Sequence, residues 1–219
     1  MKPRKTNTQP KIVRGVKVPA VSVPKILEEF FVKDKGLTRN GLVRNSTILA
    51  CKRDFLFLRG VKLDLPPYNL NKDQRDAIRS NLPSFAAILV FCSSIDLLAR
   101  IMKRDMGIYK SRKYFLWSSK KWFNLSYSKR IALWKMRCAM SHQYKIERNQ
   151  RAVPYGFPGS MTYDRNYKIW IFNLNGMFGD ITRAINISKE YINSKSERTR
   201  QKYANFIYQN GFFYTHVEL

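Results

Sequence analysis

"FAAILVFCSSIDLLARIM", residues 85–102, decides the fold class of this chain. Its Ile88, Phe91, Cys92, Ile95, Leu98, Ala99 and Met102 recur at spacings of three and four, the period of one helical face. A helix with one apolar stripe must bury it against other elements, so the chain reads as mainly α. Asn71 is placed to cap this helix, Asp73 falls in its first turn, Pro83 kinks it or starts a second segment, and Gly107 stops it. Ser93, Ser94, Asp96 and Arg100 interrupt the run, which falls short of the roughly 18–20 apolar residues of a membrane span.

The rest of the chain arranges itself around this helix. A second helix is expected over 112–124 and a third over 128–144, followed by a polar connection containing Gly and Pro. "YKIWIF", 167–172, reads as a short strand or one arm of a hairpin. Met177, Phe178, Ile181, Ala184, Ile185, Ile187 and Ile192 then mark a fourth helix, and Ser196 caps one more before an aromatic tail. Upstream, "ILEEFF" suits a short helix, while "STILACKRDFLFL" fits a strand or a helix equally well. Four segments follow: an extended basic arm over 1–24 with four prolines, a mixed extension over 25–70, a helical domain over 71–194, and a basic, aromatic C-terminal extension over 195–219.

Charge points to the partner. Forty-one Lys and Arg against 15 acids give a formal +26, an excess that repels itself unless a polyanion is near. Residues 1–60 carry 14 basic and 4 acidic groups and residues 61–219 carry 27 and 11, so arm and folded part are both basic. RNA is the expected partner. Candidate phosphate contacts are Lys2, Arg4, Lys5, Lys11, Arg14 and Lys17 in the arm, with Lys110, Arg112, Lys113, Lys120, Lys121, Lys129 and Arg130 around the second helix. The aromatics of "YKSRKYFLWSSKKWF", 109–123, fit either base stacking or the core face of an amphipathic helix.

Several chemistries are disfavoured. Cys51, Cys92 and Cys138 are scattered without metal-ligand spacing, and Cys92 and Cys138, in apolar helical contexts, fit small core residues in a reducing compartment, the cytoplasm. His142 and His216 stand seventy-four positions apart with no carboxylates at ligand spacing, and neither a metal nor another cofactor is expected. No GxSxG elbow is present, and the N-terminus has no apolar signal core.

One constellation remains. "LWKMRCAMSHQY", 133–144, closes the third helix on Arg137, four intervening residues and His142. Five positions turn the two side chains by roughly 140° about the axis, so one helix does not bring them onto a single stripe. An Arg and a His suit cleavage of RNA by its own 2′-hydroxyl: imidazole exchanges a proton near neutral pH, and guanidinium steadies the crowded phosphorane. A histidine at a helix end also serves as a cap or a surface group.

The order of a long apolar helix, an aromatic-rich helix, a third helix ending in Arg-x4-His, a connection and a fourth amphipathic helix resembles the HEPN family (higher eukaryote and prokaryote nucleotide-binding domain). The resemblance covers about 71–194 and rests on "FAAILVFCSSIDLLARI" and "LWKMRCAMSHQY". It implies a bundle of four or five helices that pairs as a homodimer, with a basic irregular extension before it and a short strand or hairpin ahead of the last bundle helix. It also implies a metal-independent endoribonuclease of the toxin or antiviral-defence kind, in which Arg137 binds the scissile phosphate and His142 transfers protons. In that family the residue after the arginine is commonly Asn, and here it is Cys138. Inactive relatives bind RNA or nucleotide without cutting. The competing reading is a non-catalytic RNA-binding structural protein, ribosome-associated or packaging, within a larger complex of protein or nucleic acid; no membrane role is expected.

Overall fold

A computed structural model describes residues 23–32, 36–37, 43–60, 72–107, 110–143, 150–153 and 159–216. Those residues are mainly helical. In chain order they form α1 (Val23–Phe31), β1 (Gly36–Leu37), β2 (Val43–Ser46), α2 (Thr47–Gly60), α3 (Lys72–Lys103), α4 (Ser111–Lys121), α5 (Tyr127–Gln143), β3 (Gln150–Val153), β4 (Met161–Asp164), β5 (Ile169–Asn173), α6 (Leu174–Asn193), α7 (Glu197–Gln209) and β6 (Phe213–His216). None of these helices is long and apolar enough to cross a membrane.

Helix α3 is the centre. Ile88, Phe91, Cys92, Ile95, Leu98, Ala99 and Met102 are all buried, as their spacing requires, and α2, α4, α5, α6 and α7 pack around them. The two serines that break the apolar run are accommodated by bonding back to the preceding turn, Ser93 Oγ to the Leu89 carbonyl and Ser94 Oγ to that of Val90, both at 2.9 Å. Helix α3 ends before Gly107. Arg104 takes the left-handed conformation (φ 51°), and Asp105 N–H reaches the Arg100 carbonyl at 3.1 Å, a Schellman-type close three residues earlier than glycine chemistry suggests. The expected cap, Asn71, lies outside the described residues.

The ambiguous segment "STILACKRDFLFL" resolves as helix α2, whose Ile48 and Phe55 join α1's Ile26, Leu27, Phe30 and Phe31 in the same core as α3. Val23 and Pro24, read as the end of the arm, form the first turn of α1, where proline's missing N–H removes no helical bond. Two small sheets tie distant segments together. In one, β2 pairs antiparallel with both β1 and β6, so the two chain extensions meet, and Thr47 N–H and Oγ1 both reach the Phe212 carbonyl, at 3.0 and 2.8 Å. In the other, β4 and β5 form the expected hairpin ahead of α6, and β3 adds a parallel strand within what reads as a polar connection. Tyr167 and Lys168 belong to the hairpin turn rather than to the strand.

Asn173 joins this hairpin to α6. Its side chain accepts from Asn175 N–H at 3.1 Å as an N-cap and donates to the Gly159 carbonyl at 3.0 Å. One turn into α6, Gly176 faces the same backbone: a Cβ there would stand 2.0 Å from the Gly159 oxygen. Ile181, Ala184, Ile185 and Ile192 are buried on α6, whereas Ile187 falls off the stripe and is 39% exposed. Alanine at Gly176 is expected to lower stability by about 2 kcal/mol or more, because backbone must move. Alanine at Gly179, which meets nothing within 4 Å, should raise it by up to about 1 kcal/mol. Urea denaturation of the two variants checks this, and equal effects would contradict the close approach.

Candidate functional site

Helix α5 turns Leu133, Met136 and Met140 into the core, which leaves Arg137 at the edge of its buried face. There the guanidinium meets Asp96 of α3. Nε and Nη2 donate to the same oxygen, Oδ2, at 2.8 and 2.7 Å, with the two side chains only 22% and 17% exposed. The guanidinium carbon also lies 4.9 Å from the centre of the Trp134 ring and 6.0 Å from that of Phe115, and those two rings meet edge to face. Arg137 is therefore pinned by a carboxylate from α3 and by aromatics from α4 and α5.

Asp96 is the unusual member of this group. Burial on the stripe side of α3 pushes its carboxyl above the ordinary range, and Arg137, then Arg100, oppose that shift. The ion pair is what makes a carboxylate tolerable there. Two of the five guanidinium N–H donors are engaged, so at most three are left for a ligand. His142 follows on the last turn of α5, one residue before its end, and its side chain lies outside the described residues. The helix is continuous through both positions, which sets their backbone positions about 140° apart around its axis.

Cys51 and Cys92 are poorly suited as nucleophiles. All three described thiols are free; burial pushes Cys51 up to about 11 and Cys92 higher still, so neither is a thiolate at neutral pH. Among the described residues, no three His, Cys, Asp or Glu side chains come together as a metal site would need. His216 lies on β6, paired with Val43 and remote in sequence from the α5 site.

The basic candidates divide into three groups. Lys2, Arg4, Lys5, Lys11, Arg14 and Lys17 lie outside the described residues. Arg112, Lys113, Lys120 and Lys121 are exposed on α4, while Tyr114, Phe115, Trp122 and Phe123 around them are buried, so these four aromatics are core. Lys110, Lys129 and Arg130 are less available. Lys110 binds Asp105 at 3.1 Å, together with the Tyr114 hydroxyl. Lys129 lies in the field of buried Asp180, and Arg130 Nη1 donates to the Leu116 carbonyl at 3.0 Å while stacking on Tyr127. Sequence reasoning missed Lys103, whose ammonium sits 3.9 Å from the Trp117 ring centre, and Lys195, 4.0 Å from that of Tyr191; each is an i,i+14 or i,i−4 relation to an aromatic on a packed helix. It also missed Asp96, whose only signal was a carboxylate inside an apolar stripe.

No family model, curated protein or solved structure matches this chain, and its functional reading rests on its own residues.

The pair between α3 and α5 makes a quantitative claim. Asp96→Ala or Arg137→Ala alone leaves a part-buried charge unpaired and should cost about 3 kcal/mol. The double Ala variant should cost well below the sum, a coupling that urea melts of the four proteins would measure. Strict additivity would mean that the pair does not form.

Proposed function

We propose that this protein binds RNA and cleaves it without a metal, with Arg137 and His142 acting on the RNA's own 2′-hydroxyl. The observation that carries the reading is Arg137 itself: an always-charged, planar fork held in one place by Asp96 and two rings, five positions ahead of a histidine at a helix end. Preorganised cations are what a phosphorane needs, because the site then pays no reorganisation as charge develops.

The chemistry balances with these groups and one further proton donor. His142 takes the 2′-hydroxyl proton, the 2′-oxygen bonds to phosphorus, and the bond from phosphorus to the 5′-oxygen breaks. The leaving oxygen receives a proton from a second imidazole, supplied on this reading by the partner's His142 in a homodimer; the roughly 140° between positions 137 and 142 of one helix favours that arrangement. Products then end in a 2′,3′-cyclic phosphate and a 5′-hydroxyl. The order of helices resembles the HEPN family on this reading, and a role as a toxin or antiviral effector in the cytoplasm goes with it.

A second reading has its own support. Asp96 already neutralises Arg137, and Cys138 stands where a polar neighbour is common, so the pair also suits a helix junction in a non-catalytic RNA-binding protein. The +26 charge serves both readings, and both give strongly salt-dependent affinity.

Purified protein incubated with mixed RNA in EDTA, followed by analysis of product ends, separates them. Cleavage to 2′,3′-cyclic ends is expected, with DNA bound but uncut. His142→Ala and Arg137→Lys should each lower cleavage by about a hundredfold or more; the lysine keeps a cation opposite Asp96 but loses the fork, and RNA affinity should barely change. Deleting residues 1–22, with their six basic groups, should reduce both affinity and its salt slope. A folded, RNA-bound wild type that leaves every RNA intact would establish the second reading.

A further inference from the structure

The tip of the β4 and β5 hairpin has no part in the Arg137 site. It carries Tyr163 and Trp170 directly opposite each other across the strands, ring centres 5.2 Å apart and tilted by 55°. Two residues inward along the same face, Met161 and Phe172 are opposite each other and fully within the core. The aromatic ladder thus begins in the core and runs outward until Tyr163 is 44% exposed and Trp170 only part-buried. The turn then presents Tyr167, 76% exposed, the most exposed large apolar side chain among the described residues.

This turn is rigid. The Asp164 carboxylate accepts from both Asn166 N–H and Tyr167 N–H, at 2.9 and 3.1 Å, and Lys168 closes the four-residue loop in the left-handed conformation (φ 52°). Its charge is one-sided: Arg165 and Lys168 are exposed, and the hairpin's own acid, Asp164, is turned to the loop's amides. Fixed aromatic faces beside cations match a partner that is planar, apolar in its faces and anionic at its edge.

We infer that the β4 and β5 hairpin is a stacking platform for single-stranded RNA, on which Tyr163 and Tyr167 receive unpaired bases while Arg165 and Lys168 hold the adjoining phosphates. Unpaired bases are the requirement, because a duplex keeps its base faces stacked on one another. The Tyr163 ring is packed against Trp170 and the Tyr167 backbone is bonded to Asp164, so less ordering is left to the moment of binding. This rests on the RNA-binding reading above and extends it from phosphate neutralisation to a choice between single and double strands.

The test uses the full chain with two fluorescent probes: a 2′-O-methyl oligouridylate, which cannot be cut through its 2′-oxygen, and a duplex RNA of equal length. Tyr163→Ala and Tyr167→Ala should each weaken the single strand about tenfold with the salt slope unchanged, since no charge is lost. The Phe variants should bind as wild type, and duplex affinity should not move. Lys168→Asn, whose side chain tolerates the left-handed turn, should lower the single-strand salt slope by about 1. Thermal melts confirm that these surface variants remain folded. If wild type binds RNA and the Ala variants bind the single strand equally well, or weaken both probes alike, the platform is wrong while RNA binding stands. Ala variants that turn a dimer into a monomer at unchanged affinity would make the tip a contact between copies and likewise overturn it. Wild type that binds neither probe would overturn RNA binding and the platform together.

Discussion

The buried stripe of α3 is the constraint that organises the molecule. A helix with Ile88, Phe91, Ile95, Leu98 and Met102 on one side is unstable in water by itself, and α2, α4, α5, α6 and α7 are the surfaces that cover it. Asp96 lies among these residues and sets a second condition. Its carboxylate cannot be covered by Leu or Phe, so the helix packed at that point must bring a cation, and α5 brings Arg137. The ion pair thereby fixes which helix lies where, and it holds the one guanidinium that the proposed chemistry needs.

Much of the fold was legible because helical periodicity is local. The α3 residues that recur at three and four are found buried, as are Met177, Ile181, Ala184, Ile185 and Ile192 of α6, though not Ile187; the hairpin before α6 is where the sequence puts it, and Ser196 does precede α7, its hydroxyl paired with that of Thr199 rather than with a backbone N–H. Three features were not legible. "STILACKRDFLFL" has no clear period, since its apolar residues serve a helix wedged between α1 and α3. The sheet of β1, β2 and β6 joins Val43 to His216, a pairing that no window of sequence contains. The end of α3 depends on Arg104 adopting a conformation that sequence statistics reserve for glycine.

The site follows the same division. Arg137 stood out by residue type and place in the helix order, whereas its partner lies 41 positions away and declared itself only by being a charge in an apolar stripe. The basic surface was visible in composition, yet composition does not distinguish the exposed Lys113 and Lys121 from Arg130, which is used to bind a carbonyl of α4. The hairpin tip went unnoticed as a site because Tyr167 and Trp170 read as strand residues, which ordinarily bury their aromatics, and Tyr163 falls in the stretch that reads as a polar connection.

The claim that joins these parts is that the ion pair both secures α5 and presents its cation to RNA. Exchanging the charges, Asp96→Arg together with Arg137→Asp, separates the two roles in one protein. A pair remains between the helices, but the cation now belongs to α3. Expected is a folded protein, well above either single variant in urea stability, that binds RNA like the parent and yields no 2′,3′-cyclic ends under conditions where the parent does. An exchanged protein that cleaves RNA at the parent's rate would contradict the claim that a guanidinium on α5 carries the chemistry.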